Sequence, residues 1–147
     1  MGCLAYELAT GDYLFNPTYS DDNDRDIEHL NLFTKYLGEL PRYFQRRGKY
    51  ANSYYRNNRL IRVNVGRESS IYELLTYKKK WPSQIADLFA NFLEMLLNLD
   101  PAKRPSAIRC LDHPFMTDVH NFSAMHHLYL RKEWSDVEDE EDSYMSG

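Results

Sequence analysis

The stretch W-P-S-Q-I-A-D-L-F-A-N-F-L-E-M-L-L-N-L-D-P, residues 81–101, decides the fold. After Trp81-Pro82, apolar side chains recur at helical spacing and form one wide face: Ile85, Leu88, Phe89, Phe92, Leu93, Leu96 and Leu97. A helix with such a face buries it against other elements, and Asp100-Pro101 marks the end of this one. We therefore predict that this helix lies at the centre of the core.

Two further helices are predicted before it. Leu4 and Leu8 lie four residues apart and Gly11 follows at a stop position, which is typical of the last turns of a helix. No capping residue precedes this periodicity, so we expect a helix that lacks its first turn. With that first part and its partners missing, residues 1–9 and 85–97 are expected to leave an exposed apolar patch.

The second of these helices follows a polar, acidic loop. Its apolar residues are Ile27, Leu30, Phe33 and Leu37, and Gly38 marks its end. Asp24 and Asp26 stand where a cap and a first-turn acid belong, and negative charge there is favourable to the helix dipole.

The rest of the chain contains shorter signals. Residues 60–65 alternate and could be extended, whereas residues 70–77 look like a short helix capped by the serine at 69 or 70. Ser106 caps another short helix, and residues 121–132 could form one or two more turns. No β-α-β alternation and no internal repeat are found, so a mainly α fold is predicted.

Charge is strongly segregated along the chain. The 147 residues carry a net charge of −4, but residues 1–40 carry −6, residues 42–80 carry +9 and residues 133–147 carry −7. The length fits one domain, and no apolar run is long enough for a membrane span. Only two cysteines occur, which suggests a reducing compartment. The acidic, apolar-poor end is predicted to be disordered.

Three stretches together resemble one family. G-C-L-A-Y-E-L-A-T-G-D-Y-L-F (residues 2–15) and L-D-P-A-K-R-P-S-A-I-R-C-L-D-H-P-F (residues 99–115) resemble conserved parts of the large lobe of eukaryotic protein kinases. D-I-E-H-L-N-L-F-T-K-Y-L-G-E-L-P between them, with G-K-Y and K-W-P, is similar to the SR-protein kinases. The resemblance implies a mainly α fold, the C-terminal half of a kinase large lobe with an insert after the second helix.

The domain organisation follows from the same resemblance. Residues 1–116 would be a partial kinase domain, residues 117–132 a short extension and residues 133–147 the acidic tail. The family transfers phosphate from ATP to serines of Arg-Ser-rich splicing factors, which implies a cytoplasmic and nuclear serine/threonine kinase. The complete kinase would use ATP and Mg²⁺.

The catalytic motifs of a kinase do not occur in these 147 residues. A kinase needs a Gly-rich loop, a strand lysine, H-R-D with a downstream Asn, and D-F-G. None of them is found, so no catalytic, cofactor-binding or metal residue is assigned. We expect the chain alone to be inactive and to contribute lobe core and substrate docking.

The docking residues come from the family's acidic groove. Matched residue by residue, Glu28 falls at an acidic groove position and Lys78 at a groove lysine, while Asp24 and Asp26 could add to the field. Carboxylates bind guanidinium groups bidentately, which favours arginine. Lys35 departs from the family, which has an acid there, and a lysine would repel an arginine-rich strand. The alternative is that Glu28 and Lys78 are solvated helix-face charges.

Arg104 is assigned a structural role by the resemblance. In kinases the matching arginine forms a buried ion pair with the glutamate of an A-P-E motif, which this chain lacks. Arg104 is therefore expected to be either stranded without its partner or exposed. The plainer alternative is an ordinary surface arginine beside Pro105.

Alternative functions remain open from the sequence. The chain could be a non-catalytic interaction module that binds Arg-rich or anionic partners. The arginines and tyrosines of residues 42–80 could stack RNA, although tyrosines that pack short helices explain them more simply and RNA is disfavoured. Gly2 and Cys3 could be acylated, but the acylation pattern expects Ser or Thr at position 6, where this chain has Tyr6. The histidines do not have the spacing of a metal site. The oligomeric state is not predicted.

Overall fold

The structure is a computed structural model that describes residues 1–18, 22–57, 59–61 and 69–117, without the side chains of residues 22–24. The described chain is mainly helical, which confirms the prediction of a mainly α fold. It divides into two compact units, of which the first ends at Ser106 and the second begins at Ala107.

The first unit contains six α-helices and one small hairpin among its described residues. The helices are α1 (Gly2–Thr10), α2 (Asp22–Leu37), α3 (Arg42–Arg47), α4 (Ala51–Tyr54), α5 (Ile71–Glu73) and α6 (Ser83–Leu96). A π-helical turn, Leu74–Lys78, continues α5, and a 3-10 turn, Pro101–Lys103, follows α6. The antiparallel hairpin pairs β1 (Tyr55–Arg56) with β2 (Arg59–Leu60).

Helix α6 forms the centre of the core, as its apolar periodicity predicts. Phe89 and Leu93 are fully buried on it, and α1, α5 and the π-turn all pack against this helix. Trp81, just before α6, stacks on Phe89 with the ring centroids 5.3 Å apart. The apolar face of α6 is therefore covered by α1, α5, the π-turn and Trp81.

Helix α1 lies against the end of α6 through a glycine. A Cβ added at Gly2 would come within 2.7 Å of the Leu97 side chain, so only glycine lets the two helices approach this closely. The helix ends at Gly11, whose φ of 75° is left-handed and whose N–H donates to the carbonyl of Glu7. This is the stop that the sequence predicted.

The expected apolar patch is found on α1 but not on α6. The exposed side chains of α1 include Leu4 and Leu8, and Met1 before the helix is also exposed, whereas Tyr6 faces the core. The patch prediction is wrong for α6, because α5, the π-turn and Trp81 cover its face.

Helix α2 begins earlier than the sequence indicated. It starts at Asp22, so Asp24 lies within its first turn and not at the cap position. Its inner face buries Ile27 and Asn31, and it ends at Leu37 before Gly38. With this start, Asp26 is the fifth residue of α2 and lies in its second turn, so the prediction that it is a first-turn acid is wrong.

The segment from Ser70 to Lys80 is held by a cap and a wide turn. Ser70 and Glu73 form a capping box, which selects Ser70 over Ser69 as the cap. In the π-turn the N–H of Lys79 donates to the carbonyl of Leu74. The Lys79 ammonium then reaches back to the Thr10 carbonyl, 3.2 Å away, and to the Asp12 carboxylate. The end of α1 is thus tied to this turn.

Residues 42–61 carry short elements with few apolar residues. Gln45 of α3 is buried, and its Nε2 donates to the carbonyl of Leu40 at 2.6 Å. The hairpin turns at Asn57, which has a left-handed φ of 53°. Of the predicted extended stretch, residue 60 lies in β2 and residues 62–65 fall outside the described residues.

The second unit is described only as far as Thr117. Its helices are α7 (Ala107–Leu111), directly after Ser106, and α8 (Pro114–Thr117). The Phe115 N–H donates to Nδ1 of His113 at 3.1 Å, and burial lowers the pKa of this histidine. The predicted extension and acidic tail lie outside the described residues, apart from Thr117.

Among the described helices, none combines the length and apolarity that crossing a bilayer requires.

Replacing Leu93 by Ala should destabilise the chain by about 2–5 kcal/mol, because the side chain is fully buried and its removal leaves a cavity. The matched control is Leu8→Ala on α1, where the side chain is 76% exposed and the expected change is within about 0.5 kcal/mol. Urea unfolding followed by circular dichroism measures both, and equal losses would contradict α6 as the core.

Candidate functional site

Two clefts flank helix α2. The first, here called the aromatic cleft, has a volume of about 360 Å³ and lies between α2 and the residues 44–55. It is lined mostly by aromatic side chains, with one carboxylate and one ammonium: Asp26, His29, Leu30, Phe33, Phe44, Gly48, Lys49, Tyr50, Ala51, Tyr54 and Tyr55. Such a lining offers flat apolar surfaces together with a few polar groups.

Asp26 is held in the aromatic cleft by a tyrosine. The Tyr54 hydroxyl donates to Oδ2 of Asp26 at 2.8 Å, and Nε of Arg25 lies 3.9 Å from Oδ1. The hydrogen bond to the carboxylate is the main cause that raises the pKa of Tyr54, with burial and the negative charge of Asp26 acting in the same direction. One oxygen of Asp26 is therefore engaged, and the carboxylate keeps a fixed orientation.

Two side chains of α2 that line the aromatic cleft, His29 and Phe33, also belong to a cluster of rings. Phe15, from the loop after α1, meets Phe33 edge-on at 4.7 Å between centroids, and His29 lies 4.5 Å from the same ring. Aromatic pairs in such arrangements add about 0.5–1.5 kcal/mol beyond their buried area. This packing fixes the loop after α1 against the helix that carries Asp26.

The second cleft, here called the lysine cleft, lies on another side of α2. Its volume is about 320 Å³, and it is lined by Lys35, Tyr36, Ser69, Glu73, Leu74, Tyr77 and Lys78. Helix α2 supplies Lys35 and Tyr36, and the segment from Ser69 to the end of the π-turn supplies the rest. Two ammonium groups from distant parts of the chain therefore line one cavity.

The predicted docking residues do not line one cleft. Asp26 lines the aromatic cleft, Lys78 lines the lysine cleft, and Glu28 lines neither of the two. Residues two apart on a helix do not face each other, whereas Glu28 and Lys35 are seven apart and share a side of α2. The Asp24 side chain lies outside the described set. The docking role of these residues stays a prediction.

Arg104 is exposed, and its contact is local. Its Nε donates to the carbonyl of Asn98 at 2.8 Å, which closes the turn after α6. The same turn is held by Asp100, whose side chain accepts from the Ala102 N–H and from the Tyr43 hydroxyl. The observed contact gives Arg104 a local structural role, and its ion pair in a complete kinase stays an implication of the resemblance.

Sequence reasoning missed two features of the site. By sequence, Tyr54 is only one of several tyrosines in residues 42–80, and residue spacing does not indicate that Lys35 and Lys78 line one cleft. Their partners lie 28 and 43 positions away along the chain, where no local pattern connects them. The departure at Lys35 from the family pattern was the only available signal. In the described part of the chain, no group of three His, Cys, Asp or Glu side chains suits a metal ion.

Replacing Asp26 by Asn should lower the pKa of Tyr54 towards 10, because the carboxylate that stabilises the protonated phenol is removed. Carbon-13 labelling of the tyrosine ring carbon next to the hydroxyl reports each titration by nuclear magnetic resonance. Asp12→Asn is the matched control, since that carboxylate contacts Lys79 and not Tyr54. An unchanged Tyr54 titration in the Asp26 variant would contradict the hydrogen bond.

Comparison with known proteins gives consistent relatives. The chain is 37% identical over 115 residues to "SRSF protein kinase 3" from Homo sapiens and to "Serine/threonine-protein kinase spk-1" from Caenorhabditis elegans. It is 36% identical over 119 residues to "Serine/threonine-protein kinase SKY1" from Saccharomyces cerevisiae. No protein-family model matches the chain.

The matches cover most of this chain but little of the relatives. They span 78% of the chain for the human and nematode proteins and 80% for the yeast protein. They span only 20%, 12% and 16% of those relatives, respectively. The predicted resemblance is confirmed: by sequence, this chain is similar to one segment of the SR-protein kinases.

Proposed function

We propose that this chain forms part of the large lobe of a serine/threonine kinase that phosphorylates serines in Arg-Ser-rich splicing factors. The observation that carries the proposal is the similarity over 115 residues to a protein named "SRSF protein kinase 3". The fully buried centre of α6 supports a role as lobe core, and its position fits the mainly helical lobe that the resemblance implies.

The reaction itself is proposed for the complete kinase. It would use ATP and Mg²⁺, whose binding groups are the Gly-rich loop, the strand lysine, H-R-D with its Asn, and D-F-G. These motifs do not occur in the 147 residues, so none of the residues present is assigned to the nucleotide or the metal. We propose the cytoplasm and the nucleus as its locations, in keeping with splicing-factor substrates.

Substrate docking is proposed for the acidic part of α2. Asp26 lies beside tyrosine rings in the aromatic cleft and is oriented by Tyr54, while Glu28 lies two residues further on. A carboxylate next to aromatic faces suits a guanidinium group, which can form charged hydrogen bonds and stack at the same time. In this proposal the segment of α3, α4 and the hairpin is the insert that follows the second helix.

The second candidate is a non-catalytic interaction module. It is favoured by the segregated charges, with −6 in residues 1–40 and +9 in residues 42–80. Such a module would bind Arg-rich or anionic partners and could compete with a complete kinase. The two candidates share a fold and differ in whether phosphate is transferred.

Charge reversal on α2 tests the docking proposal. Asp26→Lys and Glu28→Lys should each weaken the binding of an unphosphorylated Arg-Ser peptide by about tenfold, because charged hydrogen bonds contribute about 1.5–3 kcal/mol. Fluorescence anisotropy of the labelled peptide measures the change. Asp87→Lys is the matched control, since this acid is exposed on α6 and lines neither cleft. Equal weakening in all three variants would mean unspecific attraction.

The chain alone should not phosphorylate an Arg-Ser peptide. An assay that follows phosphate incorporation from labelled ATP with Mg²⁺ should give only background, because the groups that position the phosphates are not in the sequence. A complete SR-protein kinase in the same buffer is the positive control. Turnover above background would contradict this part of the proposal.

A further inference from the structure

We infer that the lysine cleft binds a phosphorylated serine side chain of a partner protein. This inference rests on one part of the proposed function, namely that α2 and residues 69–78 form a protein-docking surface. The ligand inferred for the lysine cleft is negatively charged, whereas the segment proposed to bind at Asp26 is rich in arginine and positively charged.

The lysine cleft contains two ammonium groups, and that of Lys35 also lies over the Tyr36 ring, 5.4 Å from its centroid. Lys35 near the end of α2 and Lys78 at the end of the π-turn line the same cavity. Within the part of the chain that the structure describes, neither forms an ion pair. Like charges in one cleft repel each other, and an anion between them relieves the repulsion. The arrangement therefore favours a negative ligand.

The one carboxylate in the cleft is already engaged. Glu73 accepts the N–H of Ser70 as part of the capping box, with 3.3 Å between the two atoms. Its charge also favours the first turn of α5. Glu73 thus reduces the positive field without cancelling it, and the charged groups that line the cleft sum to +1.

Phosphate matches this lining better than a carboxylate does. A phosphoserine carries about −1.5 to −2 charges and three acceptor oxygens, so it can receive hydrogen bonds from both ammonium groups at once. Tyr36 and Tyr77 also line the cleft, and each has a hydroxyl group that can donate a hydrogen bond. A volume of about 320 Å³ suits one modified side chain with its flanking backbone.

Anisotropy with matched peptides tests the inference on the full chain. The probe is a short serine peptide in three forms: phosphorylated, unphosphorylated and with glutamate in place of phosphoserine. The phosphorylated form should bind about tenfold more tightly than the unphosphorylated one, a ratio that corresponds to about 1.4 kcal/mol. The preference should shrink as salt increases.

Variants assign the preference to the cleft. Lys35→Glu and Lys78→Glu should each remove most of it, and Lys35→Gln, which only deletes the charge, should reduce it. Lys103→Glu is the matched control because this exposed lysine lies outside the cleft, and it should keep the preference. Far-ultraviolet circular dichroism confirms that each variant keeps its helices.

The outcomes separate this inference from the docking proposal. Equal binding of phosphorylated and unphosphorylated peptides, or a preference that survives both glutamate variants, would overturn it. Equal binding of the glutamate peptide would overturn phosphoserine and assign the cleft to acidic segments. Loss of Arg-Ser binding in the Asp26 and Glu28 variants with an intact phosphopeptide preference would support the inference, since the two readouts depend on different residues.

Discussion

The packing of α6 against the segment that precedes it is the constraint on which the first unit depends. Ile71, Leu75, Phe89 and Leu93 are all fully or almost fully buried, and they belong to three consecutive elements that fold back on each other. Trp81 closes the connection by stacking on Phe89. Contacts this close along the chain form at a low loss of chain entropy, so this cluster can organise the rest.

The π-turn converts that packing into a surface. Leu74 and Leu75 point into the core, Lys78 lines the lysine cleft, and Lys79 crosses to the carbonyl at the end of α1. A π-turn spreads five residues over one turn, so neighbouring side chains leave it in directions that a regular α-helix would not give. A few residues thus connect the core, a candidate binding cleft and a distant helix.

The sequence predicted what depends on local pattern. Apolar spacing and stop residues gave α1, α2 and α6, since a helix buries one face and needs a distinct end. The π-turn was not predicted, because a hydrogen bond to the fifth residue has no sequence signature. A cap at Asp24 would start α2 at residue 25, three residues after its observed start at Asp22, because several acids compete for the cap. The pairing of Tyr54 with Asp26 needs the tertiary fold, which residue spacing does not contain.

The position of charge along α2 explains why its two clefts differ. Lys35 lies in the last turn of α2, where a positive charge is favourable to the helix dipole, and Asp26 lies nine residues before it. Nine residues turn the helix by two and a half turns, so the two groups face different sides. This spacing separates a carboxylate in the aromatic cleft from the ammonium groups of the lysine cleft. Asp26 and Lys78 thus line different clefts, and the docking role predicted for them and for Glu28 stays a prediction.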